Sequence, residues 1–129
     1  MLYLFFVQGN EHCNLQYLFV GWIDGPKSVQ EGQTVHLKGK VHFCPFVRSL
    51  KWQKRINGEY IDINVHKRKY KGSTYDLKTP TLVIHDLNAE DEVEYRLEVV
   101  TKLWTAYSNE FSITLQRVSG ELFLYIYPQ

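Results

Sequence analysis

From Val35 to Phe43 the chain alternates strictly. Val35, Leu37, Gly39, Val41 and Phe43 fall on one side, and His36, Lys38, Lys40 and His42 on the other. A period of two marks a strand with one face buried and one face wet. Such a strand needs a second layer over its apolar side, so a protein with several of them folds as packed sheets. Leu50 and Trp52 share a face, with Lys51 and Gln53 opposite. Tyr95, Leu97 and Val99 alternate with Glu94, Arg96 and Glu98, and Phe111, Ile113 and Leu115 form a last inward set. Leu82, Ile84 and Leu87 supply further apolar anchors. No helical stripe of useful length competes with these segments.

Turn signals separate the strands. Gly25-Pro26 opens the strand-rich zone, a short strand follows over Lys27 to Gln30, and Glu31-Gly32-Gln33 makes the next turn. Asn57-Gly58 predicts a tight hairpin, because both residues tolerate positive φ. The backbone then returns as a strand over Tyr60 to Ile63, and Val65 to Lys71 predicts another strand carrying many charges. Thr79-Pro80 marks a boundary, since proline cannot donate to a central ladder. Asn88-Ala89-Glu90-Asp91 reads as a turn, and a loop around Lys102 to Ala106 precedes the last strand. Many short strands at this spacing predict a sandwich or barrel.

The protein has 129 residues, 44% of them hydrophobic, which suits one packed core rather than wholesale disorder. A formal net charge of +1 gives no reason to expect a nucleic-acid or membrane binder. Three zones follow: an N-terminal extension of uncertain structure over residues 1–24, a strand-rich domain over 25–116, and an apolar C-terminal tail over 117–129. Met1 to Val7 is apolar but lacks the basic start of a secretory signal, and Gln8 breaks the run. Leu122 to Tyr127 is too short to span a membrane, so no membrane insertion is expected of these segments. A signal and an anchor could still lie elsewhere in a larger protein.

Residues 25–116 resemble the immunoglobulin superfamily, most closely its intermediate, I-type set. Five segments carry the resemblance. Glu31-Gly32-Gln33-Thr34-Val35-His36-Leu37 looks like the start of strand B, and Trp52 in Leu50-Lys51-Trp52 like the buried tryptophan of strand C. Thr81-Leu82-Val83-Ile84 resembles strand E, and Asp91-Glu92-Val93-Glu94-Tyr95 the approach to strand F. Ser108 to Leu115 resembles strand G. The resemblance implies an all-β, antiparallel sandwich with Greek-key connections. It also implies a structural core of Trp52, Tyr95, Leu37, Gly39, Leu82, Ile84 and Leu97, with Tyr95 forming a tyrosine corner. The family usually joins strands B and F by a disulfide beside the tryptophan. Here those positions fall on Gly39 and Leu97, which cannot form one. Cys44 lies past the B position and Cys13 precedes the domain. Losing such a bridge typically costs about 2–5 kcal/mol. Leu97 is expected to fill part of the space, and Gly39 to leave a void against Trp52. Two readings of the missing pair stay open: a domain of a reducing compartment, and an extracellular domain that tolerates the loss.

No nucleophile elbow, phosphate-cradling glycine loop or suitably placed carboxylate pair occurs, so no enzyme is expected and no cofactor is implied. His36 and His42 sit too far apart on one strand to chelate an ion, and the scattered cysteines give no zinc spacing. Glu90-Asp91-Glu92 with Glu94 reads as an exposed turn with a structural Asp91 rather than a calcium site. The basic run His66 to Lys71 reads as a solvated edge strand, whose lysines discourage edge pairing. A polyanion site at Lys67, Arg68, Lys69 and Lys71 is disfavoured, because no basic surplus accompanies it. The loop from Lys102 to Tyr107 is the best candidate site. Lys102, Leu103, Trp104 and Tyr107 combine a cation with exposed aromatics, the composition of an interface hot spot. Tyr17, Phe19 and Trp22 in the N-terminal zone are candidates to cover a sheet edge or contact a neighbouring domain. The expected role is a non-enzymatic protein-binding module for adhesion or recognition, with a protein partner. The alternative is a structural spacer or scaffold domain of a larger intracellular protein.

Overall fold

The structure, a computed structural model, describes residues 22–26, 28–41, 47–102 and 105–116. His42, Phe43, Cys13, Cys44, Leu103, Trp104 and the C-terminal tail lie outside the described residues.

The alternating segments form strands, and the backbone passes back and forth between two layers. β1 (Trp22–Asp24), β3 (Val35–Lys40) and β6 (Thr81–Ile84) make one antiparallel sheet in the order β1-β3-β6. β4 (Val47–Ile56), β5 (Glu59–Asp62), β7 (Glu94–Thr101) and β8 (Thr105–Tyr107) make the other, in the order β5-β4-β7-β8. β9 (Phe111–Ser112) also pairs with β7. β2 (Ser28–Gln30) pairs in parallel with β10 (Thr114–Gln116), the one parallel ladder among the described residues. The order in which β3, β4, β6 and β7 switch layers is a Greek key.

The two inner faces meet on Trp52, Tyr95, Leu37, Leu82, Ile84 and Leu97, each essentially inaccessible to solvent. β3 is buried at alternate residues and β7 likewise, as their period requires. The Asn57-Gly58 turn has positive φ at both residues (54° and 84°), the conformation that lets β4 and β5 pair without splaying. Tyr95 donates its hydroxyl to the Asp91 carbonyl at 2.7 Å. Burial is the first cause, and the nearby Asp91 charge the second, of a phenol held well above the ordinary tyrosine range.

Gly39 and Leu97 face each other across the core. A β-carbon on Gly39 would lie 2.7 Å from Leu97 Cδ1 and 3.0 Å from Pro80 Cγ. The expected void is therefore absent: Leu97 reaches over the bare glycine backbone and occupies the space. A large side chain opposite no side chain takes the place of two half-length ones.

Two other expectations are corrected. Val65 to Lys71 is not a strand and does not edge a sheet. It turns at Val65 and His66 and continues as a 3-10 turn over Arg68–Tyr70. The turn forms because tertiary partners pull successive side chains apart. Tyr70 is buried, and Lys69 reaches Asp91 at 2.8 Å. Gln53 points to the outer face as expected, yet it is only 6% exposed because Asp62 and Arg96 close over it. Thr105 to Tyr107 is strand β8 rather than loop, with Ala106 paired to Val99.

The free side of β6 is covered without a further strand. Val83 N–H donates to Ser73 Oγ at 2.8 Å, and Thr81 N–H to Thr74 Oγ1 at 3.1 Å. A single backbone bond, Thr74 N–H to the Thr81 carbonyl at 2.8 Å, completes the seal.

Candidate functional site

The strand period that buries one face of the second sheet puts a set of polar and aromatic side chains on the other. Register places Lys51, Gln53 and Arg55 of β4 beside Tyr60 and Asp62 of β5. It places Glu94, Arg96 and Glu98 of β7 beside them, with Tyr107 of β8 opposite Glu98. These residues line one broad outer face.

Its centre is Arg96. The guanidinium carbon lies 3.8 Å from the Tyr60 ring centre and 3.8 Å from the Tyr107 ring centre. Tyr60 comes from one side of the sheet and Tyr107 from the other, so the two rings cover opposite faces of the guanidinium. Nε donates to Gln53 Oε1 at 2.8 Å, and Gln53 in turn donates to Asp62 Oδ1 at 2.8 Å. Lys51 approaches the other Asp62 oxygen at 3.4 Å. The Gln53 hydrogen bond is the largest cause that holds the Asp62 carboxyl below the usual carboxylate range; burial opposes it, and Lys51 adds to the lowering.

Arg55 and Glu94 flank this centre. Their ion pair spans 3.0 Å, and the Glu94 hydrogen bond is the leading cause of a raised Arg55 pKa. Tyr60 also donates to Glu94, at 3.5 Å. Burial first, then the neighbouring Glu110 carboxylate, push the Tyr60 phenol well above its ordinary range. An arginine stacked on both faces by tyrosines and pinned at Nε has lost most of its rotamer freedom. This is the kind of amphipathic, low-entropy contact surface that interfaces favour.

The sequence-predicted site is only partly gathered here. Tyr107 belongs to the stack, on a strand rather than in a loop. Lys102 is exposed just beyond β7, and Leu103 and Trp104 lie outside the described residues. Tyr60, Gln53 and Arg96 are site residues that sequence reasoning misses. The signal that could find them is the outward parity of β4, β5 and β7 once the hairpin register is set. The basic run does not form one cationic row. Lys67 lines an open pocket of about 400 Å³ with Lys54, Ile61 and Tyr70. Arg68 and Lys71 line a different one beside Thr34 and His85. Lys69 is paired with Asp91.

The two layers, the buried Trp52 and the Tyr95 corner define an immunoglobulin-like β-sandwich. Among solved structures, the swine CD8aa homodimer superposes with a TM-score of 0.62 at 19% sequence identity, over 77% of this protein and 100% of that one. At that identity the likeness establishes the fold. No known family profile matches the sequence, and no curated protein does.

Proposed function

We propose that the protein is a non-enzymatic binding module for recognition or adhesion, and that it meets a protein partner through the outer face of β4, β5, β7 and β8. The Tyr60–Arg96–Tyr107 stack carries this reading. It is an ordered aromatic and cationic patch on a rigid sheet, and tyrosine and arginine dominate binding energy where interfaces have been dissected. Lys102 with Leu103 and Trp104 would extend the contact beyond the end of β7. The I-type assignment belongs to the same reading. It is supported by β5 being followed by a turn segment instead of a second strand on that edge.

The test is a binding screen of the full-length protein against individually expressed proteins, a second copy of itself included, since the swine structure is a homodimer. Arg96→Ala should weaken any partner found by about thirtyfold, the equivalent of a hot spot of roughly 2 kcal/mol. Lys38→Ala/Lys40→Ala, exposed on the other sheet, should leave binding intact. Partners that tolerate Arg96→Ala and are lost with the second pair would place the interface on the opposite sheet.

The spacer reading draws on the Gly39–Leu97 contact, which needs no oxidising compartment. A screen that finds no partner, together with flanking sandwich domains in the full-length protein, would favour it.

A further inference from the structure

We infer that the partner presents a carboxylate at the centre of this face, and that Arg96 receives it on both Nη atoms. The inference rests on the proposed binding face and specifies its chemistry.

A guanidinium has two flat faces and a rim of N–H donors. In Arg96 both faces are taken by tyrosine rings, at 3.8 Å each. The Nε edge is taken by Gln53 at 2.8 Å. What remains is the far edge, which carries Nη1 and Nη2. Among the described residues no carboxylate lies within ion-pair distance of it. Of the nearby acids, Glu94 is committed to Arg55, Asp62 to Lys51 and Gln53, and Glu110 lies by the Tyr60 hydroxyl. Arg96 remains half-exposed on an outward-facing strand position.

That fork matches a carboxylate. Two parallel N–H donors in one plane pair with the two oxygens of an aspartate, a glutamate or a terminal carboxylate, and such bidentate bonds are roughly twice as strong as neutral ones. A lysine would supply the charge but not the fork. The rings and Gln53 fix the plane before binding, so little rotamer entropy is lost on contact.

Acetate is the probe. Side-chain NMR of the full-length protein should show saturable shifts of Arg96 Nε–H and of the Tyr60 and Tyr107 ring protons. Sodium chloride at matched ionic strength should not produce them. Arg96→Lys should weaken acetate binding about tenfold, and Lys38→Arg, exposed on the opposite sheet, should not change it. If Arg96→Lys alters the fold, Tyr107→Leu gives the same information by removing one ring and leaving the charge: it too should weaken acetate. The inference is overturned if chloride reproduces the shifts, if Arg96→Lys binds acetate as tightly as the native protein, or if the shifts centre on Lys51 and Arg55. Its failure is separable from failure of the face itself. A partner lost with Arg96→Ala but insensitive to neutralising each of its own acidic residues upholds the face and refutes the carboxylate.

Discussion

Replacing Gly39 by alanine adds one methyl group at the tightest point of the core. That methyl would sit 2.7 Å from Leu97 Cδ1, 3.0 Å from Pro80 Cγ and 3.1 Å from the Pro80 carbonyl oxygen. Pro80 cannot retreat freely, because Gly39 N–H donates to its carbonyl at 2.7 Å. Relief has to come from Leu97, which is wholly buried. Overpacking of this kind costs roughly 1–3 kcal/mol. Removing a glycine from a strand returns about 0.5–1 kcal/mol through the unfolded state. The net loss expected for Gly39→Ala is therefore about 1 kcal/mol. Leu97→Val deletes the clashing Cδ1, so in that background the same substitution should cost close to nothing. Its coupling energy with Leu97→Val should then be about 1 kcal/mol. Urea unfolding of the four proteins measures every term. Additive effects, or a Gly39→Ala protein more stable than the native one, would refute the idea that Leu97 holds the space a disulfide would otherwise cross.

Tyr95→Phe leaves the Asp91 carbonyl without its buried donor and should cost about 1–3 kcal/mol in the same assay. Because the folded Tyr95 phenol is raised, its stabilising contribution is complete below the usual tyrosine value of about 10 and is lost as pH climbs beyond it; Tyr95→Phe should flatten that alkaline fall. Lys69→Ala leaves the buried Asp91 carboxylate with the Asn88 N–H but no cation and should cost about 2–3 kcal/mol, discounted from the full buried-pair value because Lys69 is 27% exposed, whereas Lys69→Arg should retain most of the stability. Asp62 is lowered in the folded protein, so its contribution is present above the usual carboxylate range and disappears as pH falls through its own value. Gln53→Leu should remove the larger part of that acid dependence, and an unchanged acid arm would show that Gln53 does not set it.

Much of the fold can be read along the sequence because it is local. β3 and β7 announce themselves by alternation, the β4–β5 hairpin by Asn57-Gly58, and the corner by Tyr95 following Asp91. What cannot be read depends on distant partners. Residues 65–71 hold an apolar Tyr70 among cations, a pattern as compatible with period two as with the period of three that the backbone adopts. Asp91 decides between them by claiming Lys69. β1 is only three residues long, too short to show a period, and exists through its register with β3. The stack draws on Tyr60, Arg96 and Tyr107 from three strands. None looks unusual in its own segment, and the register that assembles them is a property of the sheet. The void expected at Gly39 is a pairwise inference, and it fails because Leu97 is long enough to cross the gap.

The way β6 is finished along its free side has a practical consequence. A neighbouring strand would lock the crossing from β5 to β6 to a fixed register, since one extra residue in a paired strand turns every later side chain over. Two hydroxyls and one backbone bond impose no such rule between Thr74 and Lys78, whose carbonyl accepts from Val41 N–H at 2.9 Å. The stretch from Tyr75 to Leu77, exposed at both ends, can therefore be lengthened with the loss growing only by about 0.6 kcal/mol per doubling of the loop. Foreign sequence grafted between Tyr75 and Leu77 should leave both sheets in place, which makes that crossing the natural attachment point for a label, a tether or a second binding loop.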